Sequence, residues 1–254
     1  MFQLNQVFFS ISDRTLLAPT TLSLQTGKVY GLIGHNGSGK STLLKLMARQ
    51  QPASGGEILL AGKPLGNWHH RDFSKQVAYL PQHLPLGTSL TAVELVGMGR
   101  YAWNGLFGRK TETDQLAIRR AMQLTRTEKF TQQFVDTLSG GERLRVWLAM
   151  LLAQQSRFLL LDEPLAPLDI AHQVEVMQLL YNLSRELNLG VVIVIHDINL
   201  AARFCDQLIA LHSGRILAQG NARQIVNTES LQAIYGIRLN VIDHPHCDRP
   251  VSFY

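Results

Sequence analysis

The chain has 254 residues, 46% hydrophobic and 17% charged, which calls for a buried core and excludes a disordered chain. No apolar run reaches the ~20 residues that span a bilayer, and Met1-Phe2-Gln3-Leu4-Asn5-Gln6 has neither a basic nor an apolar leader region, so no secretory signal is expected. The formal net charge is +5, but the cations are dispersed, with Arg119-Arg120 and Arg143/Arg145 the nearest to clusters; a solvated surface is expected rather than a nucleic-acid tract. Cys205 and Cys247 make no disulfide framework and fit a reducing compartment.

In chain order, residues 1–30 read as strands joined by turns. Phe2, Leu4 and Val7 alternate with polar residues, Ser12-Asp13-Arg14-Thr15 signals a turn, and Leu22-Ser23-Leu24 alternates again before Gly27-Lys28. An antiparallel β-lobe is predicted. Val29-Tyr30-Gly31-Leu32-Ile33 is an apolar run of strand length. It leads into Gly34-His35-Asn36-Gly37-Ser38-Gly39-Lys40-Ser41-Thr42, which matches the phosphate-binding loop G-x-x-x-x-G-K-[ST], and a helical pattern follows to Arg49. The glycines let the backbone turn tightly and bring N–H groups to phosphate oxygens. A helix start adds oriented donors. Lys40 brings a full charge for the β- and γ-phosphates, and Ser41 a hydroxyl for Mg²⁺. A glycine-rich turn alone would say little; the strand before it and the helix after it make it a nucleotide site.

Residues 55–62 read as another strand of the lobe, and Val77-Ala78-Tyr79-Leu80 as a short strand ended by Pro81-Gln82. From about 84 to 137 no convincing strand appears. A helix starts near Leu90, with Ser89 or Thr88 as cap, then a loop with Gly105 and Gly108, then a helix from Thr113 with Leu116, Ile118, Ala121 and Met122 on its apolar face. With the helix over about 140–154, residues 84–154 read as a helical subdomain inserted into a single domain spanning 1–254. Beyond it, residues 157–162, apolar from Phe158 to Leu161, and the unbroken apolar run 191–195 read as strands around a long helix from Ala171 to Leu187, the pattern of a parallel sheet covered on both faces. Ser213-Gly214 marks a hairpin, and the tail from about 221 reads as helix, then irregular. The fold class is α/β.

Two further motifs carry chemistry. Leu159-Leu160-Leu161-Asp162-Glu163 puts carboxylates at the C-terminal end of a central strand, where open α/β sheets bind ligands. Asp162 would hold Mg²⁺ opposite Ser41, and Glu163 could polarise water for attack on the γ-phosphate. Leu138-Ser139-Gly140-Gly141-Glu142 is a capping box whose two glycines expose backbone N–H groups, a second anion-binding helix start.

On these motifs the chain resembles the ATPase subunit of ATP-binding cassette (ABC) transporters, from residue 2 to about 240. Residues 34–42, 138–142 and 158–163 match Walker A, the signature and Walker B, and three single residues match the family's switches. Gln82 matches the Q-loop glutamine, which in the family binds Mg²⁺ or the attacking water and senses the membrane partner. Asp169, after Leu168, matches the D-loop aspartate that works across the dimer interface. His196 matches the switch histidine that contacts the γ-phosphate. The resemblance implies a P-loop NTPase core and a translocating ATPase using ATP and Mg²⁺. It implies a second copy packed head to tail, so that each ATP lies between one copy's P-loop and the other's Ser139, Gly140, Gly141 and Glu142. It also implies transmembrane permease subunits, a periplasmic or lipoprotein receptor as indirect partner, and a peripheral position on the cytoplasmic face of the inner membrane.

Gly97-Met98-Gly99-Arg100-Tyr101, Leu168-Asp169-Ile170-Ala171-His172-Gln173 and Ile234-Tyr235-Gly236-Ile237 narrow the resemblance to importers of iron-siderophores, haem and vitamin B12, and the 31–36 and 250–253 segments to the ferric hydroxamate type. None of these features touches a cargo. The family's adenine-stacking aromatic is usually Tyr; here the candidates are Phe8, Phe9 and Ile11, Phe9 being favoured, with core packing as the rival. Leu165 replaces the commoner Thr, Pro167 stiffens the D-loop, and Glu142 replaces the commoner Gln. A soluble ABC-type ATPase acting on DNA or ribosomes would carry two cassettes or a long coiled-coil insertion, and a P-loop kinase or GTPase leaves residues 138–142 unexplained. His69-His70 reads as solvated loop, and His244-Pro245-His246-Cys247 holds two ligand types without a second cluster. Tyr101, Trp103 and Phe107 fit a partner surface or a local core equally.

Overall fold

The computed structural model describes residues 1–85, 89–105, 111–246 and 248–253. Thr88, Phe107, Gly108 and Cys247 lie outside the described residues. The β-lobe forms as the alternation predicts. Strands β1 (Phe2–Ile11) and β2 (Arg14–Leu24) pair antiparallel, β3 (Val29–Ile33) leaves the lobe, and after helix α1 (Lys40–Met47) the strands β4 (Gly55–Leu60) and β5 (Lys63–Pro64) complete a four-stranded sheet in the order β2-β1-β4-β5.

The main sheet has six strands. After α2 (His70–Ser74) comes β6 (Val77–Leu80), and after the helical block come β7 (Phe158–Leu161), helix α7 (Ile170–Glu186), β8 (Gly190–Val194), α8 (Ile198–Phe204), β9 (Gln207–His212) and β10 (Arg215–Gly220). The strand order is β10-β9-β3-β8-β7-β6, parallel throughout except for the antiparallel edge β10. Side chains alternate across it. Leu32, Leu160, Val192 and Val194 face the lobe and α1, with Phe2 meeting Phe158 edge to face at 4.9 Å. Ile33, Leu159, Leu161, Val191 and Ile193 face the opposite layer of helices. Each strand of the middle is buried at every position, which is why its sequence is uniformly apolar.

The helical block consists of α3 (Ala92–Met98), α4 (Tyr101–Asn104), α5 (Glu112–Thr125) and α6 (Gly140–Ala153). Among the described residues of 84–137 no strand forms, a single bridge between Thr91 and Phe134 apart. Thr91, not Ser89, caps α3: its amide donates to Glu94 at 2.8 Å, three residues on, whereas Ser89 has Ala92 at that spacing and itself sits at φ 48°. Tyr101–Asn104 is helical where a loop is expected, and α5 starts earlier, on Thr111 and Asp114. Leu116 is 54% exposed; the buried stripe runs Asp114, Ala117, Ile118, Ala121, Met122 and Thr125. Tyr101 and Trp103 are 55% and 39% exposed. His69 and His70 are exposed at the start of α2.

Asp114 faces inward because Arg100 meets it. Arg100 Nε donates to Asp114 at 2.8 Å and its Nη1 donates to Ala153 O and Gln155, which joins α4, α5 and α6. Both side chains are almost fully buried. Burial pushes the Asp114 carboxyl up, but the bonds from Thr111 and Arg100 outweigh it and hold it well below the usual carboxylate range. Its contribution to stability is therefore complete above that range and is lost as pH falls below about 4. Removing one partner strands the other charge, so Asp114→Ala should cost about 3 kcal/mol in urea unfolding at neutral pH, and the difference from the parent should shrink in acid.

The tail departs from expectation. Helices α9 (Ala222–Ile225) and α10 (Thr228–Tyr235) are followed by a hairpin of β11 (Asn240–Asp243) and β12 (Pro250–Phe253), not by irregular chain. Asn199 on α8 ties the hairpin to the body, its amide exchanging bonds with Ser252 N and O at 2.8 and 3.0 Å, and Arg223 on α9 pairs with Asp243 and Asp248. Among the described residues no group of three or more His, Cys, Asp or Glu stands in a metal-holding arrangement.

Candidate functional site

Four neighbouring parallel strands, β3, β8, β7 and β6, end on the same edge of the main sheet, and each delivers part of one cleft. After β3 comes the glycine loop. Gly34 has φ 140°, and a Cβ there would lie 2.1 Å from Leu211 O on β9, so only glycine fits. Gly37, at φ 76°, meets the opposite condition: nothing stands within 4 Å of its Cβ position, so the loop crest faces open space. Lys40, at the start of α1, is 4% exposed and donates from Nζ to Gly34 O and His35 O, both at 2.9 Å. Burial pushes its ammonium pKa down, against the pull of Glu163 and Asp162.

The end of β7 supplies two carboxylates with different surroundings. Asp162 is 1% exposed; its amide donates to Leu80 O on β6, and its Oδ1 accepts from Ser41 Oγ at 2.8 Å. Burial pushes its carboxyl up, offset by the Ser41 bond, and burial beside Asp162 pushes the Tyr79 hydroxyl up to about 12. Glu163 adopts φ 49°, a left-handed conformation that costs a non-glycine residue about 1 kcal/mol. This reversal turns its carboxylate into the cleft. There Oε2 accepts from Gln82 Nε2 at 2.8 Å and Oε1 lies 3.1 Å from His196 Nε2. Gln82 follows β6 and His196 follows β8, so the three residues converge from adjacent strand ends.

The cleft, about 340 Å³, is lined by residues 36–42, Gln82, Glu163, Arg14 and Leu16. The last two are not apparent from the sequence. They arrive because Ala18 N donates to Gly214 O at 2.7 Å and Gly214 N donates to Ser38 O at 3.0 Å, so the β9–β10 turn ties β2 to the loop. Phe9 does not reach the cleft. It is 9% exposed and packs in the lobe core, the rival reading of that residue; Phe8 covers Gly55, and Ile11 is 53% exposed beside Arg14 at the β1–β2 turn.

Ser139, Gly140, Gly141 and Glu142 are not among the residues lining that cleft, nor is Asp169. Ser139 caps α6, and the Glu142 carboxylate accepts from the Ser139 hydroxyl at 2.8 Å and its amide at 3.1 Å; these bonds hold Glu142 below its ordinary pKa. Asp169 caps α7, accepting from His172 N at 2.9 Å.

The family model described as ABC transporter matches residues 17–166. The chain belongs to the ABC transporter family. The iron(3+)-hydroxamate import ATP-binding protein FhuC of Bacillus subtilis (strain 168) is 38% identical over 97% of this chain and 91% of that protein. The ferric enterobactin transport ATP-binding protein FepC of Escherichia coli (strain K12) is 39% identical over the same shares. The bacterial ABC transporter cassette MJ0796, solved as a dimer and in a post-hydrolysis state bound to ADP and Pi, superposes with a TM-score of 0.75 at 26% identity, covering 87% of this chain and 98% of that one. The chain is thus an ATP-binding ABC ATPase, its hydrolysis coupled to transport, built on the P-loop α/β fold. The strand–loop–helix of β3 and α1 lies within the matched stretch, as do Gln82, the signature helix start and the carboxylates after β7.

Proposed function

We propose that this ABC ATPase powers an importer of iron chelates, of the ferric hydroxamate class, through ATP hydrolysis in a head-to-tail dimer of two copies. The observation that carries the reading is the division of the site. Lys40, Ser41, Asp162, Gln82, Glu163 and His196 serve one cleft, while the second anion-binding helix start at Ser139 lies outside it. A signature that does not serve its own chain's nucleotide is explained if it closes over the nucleotide of a second copy.

In this reading residues 34–42 cradle the phosphates, with Gly37 at the open crest and Lys40 against the β- and γ-phosphates. Ser41, Asp162 and Gln82 form a set of hard oxygen donors suited to Mg²⁺. Bound there, Mg²⁺ supplies charge neutralisation at the phosphate oxygens. Glu163 accepts a proton from the attacking water, His196 orients Glu163 and meets the γ-phosphate, and Gln82 holds the second Glu163 oxygen. Asp169 and residues 139–142 act on the second copy, and Phe9 supports the lobe rather than the base. Residues 84–154 serve as a helical subdomain that passes closure to permease subunits, with a substrate-binding protein as an indirect partner. A peripheral place on the cytoplasmic face of the inner membrane fits a chain in which, among the described residues, no helix is long and apolar enough to cross a membrane.

The similarity to FhuC and FepC favours an iron-siderophore; FhuC alone points to ferric hydroxamates and FepC to ferric enterobactin, with haem, vitamin B12 or another metal chelate as the alternative cargo. Uptake by cells lacking this chain and complemented with it separates them: ferric hydroxamate accumulation should be restored, and restoration of haem or B12 uptake alone would overturn the assignment. Ser139→Arg tests the dimer. Its bulk and charge would sit at the phosphate of the other copy, so turnover should fall more than tenfold while ATP still binds the isolated chain; unchanged turnover in membranes would sink the head-to-tail arrangement.

A further inference from the structure

The loop before α7 and the start of α6 are in contact, and one side chain, His172, joins them. Its Nδ1 stands 2.8 and 2.9 Å from the two Asp169 carboxylate oxygens, while its amide donates to Asp169 Oδ1 at 2.9 Å. Asp169 is therefore held twice by one residue, and these bonds draw its carboxyl below the ordinary range. The far side of the same ring lies on Gly141. A Cβ at that glycine would stand 2.9 Å from His172 Cδ2, closer than real side chains come, and 3.3 Å from Cγ. Position 141 is thus glycine for a reason besides phosphate approach: the imidazole occupies the space. The neighbouring glycine is also covered, since Pro167 O and Leu168 lie 3.9 and 3.8 Å from the Cβ position of Gly140.

We infer that His172 is a positioning residue that pins Asp169 to the signature helix start, so that the two surfaces offered to a second copy are set as one body. The inference rests on the head-to-tail reading above and adds a residue to it. His172 touches neither the P-loop nor the reacting atoms. It acts through two contacts, a hydrogen bond to Asp169 and ring packing on Gly141. Its other charged surroundings are Glu142 and Arg145 on α6 and Arg126, Glu128 and Lys129 after α5, which line the adjoining groove with it. The side chain is 47% exposed, so it can be replaced without opening the core.

The test uses the full chain carrying Glu163→Gln, in which ATP should hold the dimer, and reads the ATP concentration for half-dimerisation by analytical ultracentrifugation. Adding His172→Ala should raise that concentration about tenfold, and in the otherwise native chain it should lower kcat by a similar factor. Binding of a fluorescent ATP analogue to the monomer should stay within twofold. His172→Phe keeps a ring over Gly141 but has no donor for Asp169, so it should behave like His172→Ala. His172→Asn offers an amide donor and should recover most of the dimerisation. Dimerisation and turnover equal to the parent's in both the Ala and Phe variants overturns the inference. A Glu163→Gln parent that stays monomeric in saturating ATP overturns the head-to-tail reading and the inference with it.

Discussion

Glu163→Gln should lower steady-state ATP turnover by about 10²–10⁴-fold while leaving ATP bound and the dimer closed. The two carboxylates after β7 differ in what they can do. Asp162 is almost fully buried, with Ser41 on one oxygen and the Tyr79 hydroxyl 3.5 Å from the other. A group so enclosed is placed to hold an ion rather than to meet an attacking water. Glu163 instead lines the cleft, turned there by its left-handed backbone, and its oxygens lie between Gln82 and His196. The amide of a glutamine is nearly isosteric, and its oxygen can still accept from Gln82, so the fold and the nucleotide contacts should survive. What is lost is the basic site. Single-turnover hydrolysis of bound ATP and the sedimentation of the ATP-loaded chain measure the two consequences separately. Hydrolysis near the native rate would show that Glu163 is not the base.

The parts of this site that were legible in the sequence are those whose chemistry is local. The glycine loop, the two strands 158–161 and 190–194, and the Ser139–Glu142 capping box are each set by residues within a few positions of one another. Gln82 and His196 are legible only through the family resemblance; the sheet accounts for their meeting with Glu163, because each stands just after a buried strand, and parallel strands in one sheet end together. The rest depends on partners distant in the chain. Arg14 and Leu16 reach the cleft only through Gly214, some 200 residues away in sequence, which no pattern around the β1–β2 turn discloses. Phe9 looks like a stacking aromatic until the lobe closes over it. Leu116 loses its place in the core to Asp114, an acid that enters only because Arg100 is waiting there. The terminal hairpin is anchored by Asn199 and Arg223. In every case but Phe9 a polar tie, rather than hydrophobic periodicity, decided the outcome.

Lys40→Ala should remove most nucleotide affinity, raising the dissociation constant for ATP by more than about 100-fold, the equivalent of roughly 2.7 kcal/mol or more. Two features make this residue costly to lose. The residue is 4% exposed, in surroundings that lower its ammonium pKa, so its charge is poorly solvated and acts strongly on a nearby phosphate. It also bridges Gly34 O and His35 O, the first two carbonyls of the loop, and so holds the cradle in the curve that directs its N–H groups outward. Alanine takes away both the charge and the tether. The expected loss should be as large for inorganic triphosphate as for ATP, because neither effect involves the base. Adenosine should bind no worse than before. Isothermal titration with the three ligands separates these cases: tight ATP binding by Lys40→Ala would contradict the P-loop assignment, and a loss shared by ATP and adenosine but not by triphosphate would move Lys40's role from the phosphates to the nucleoside.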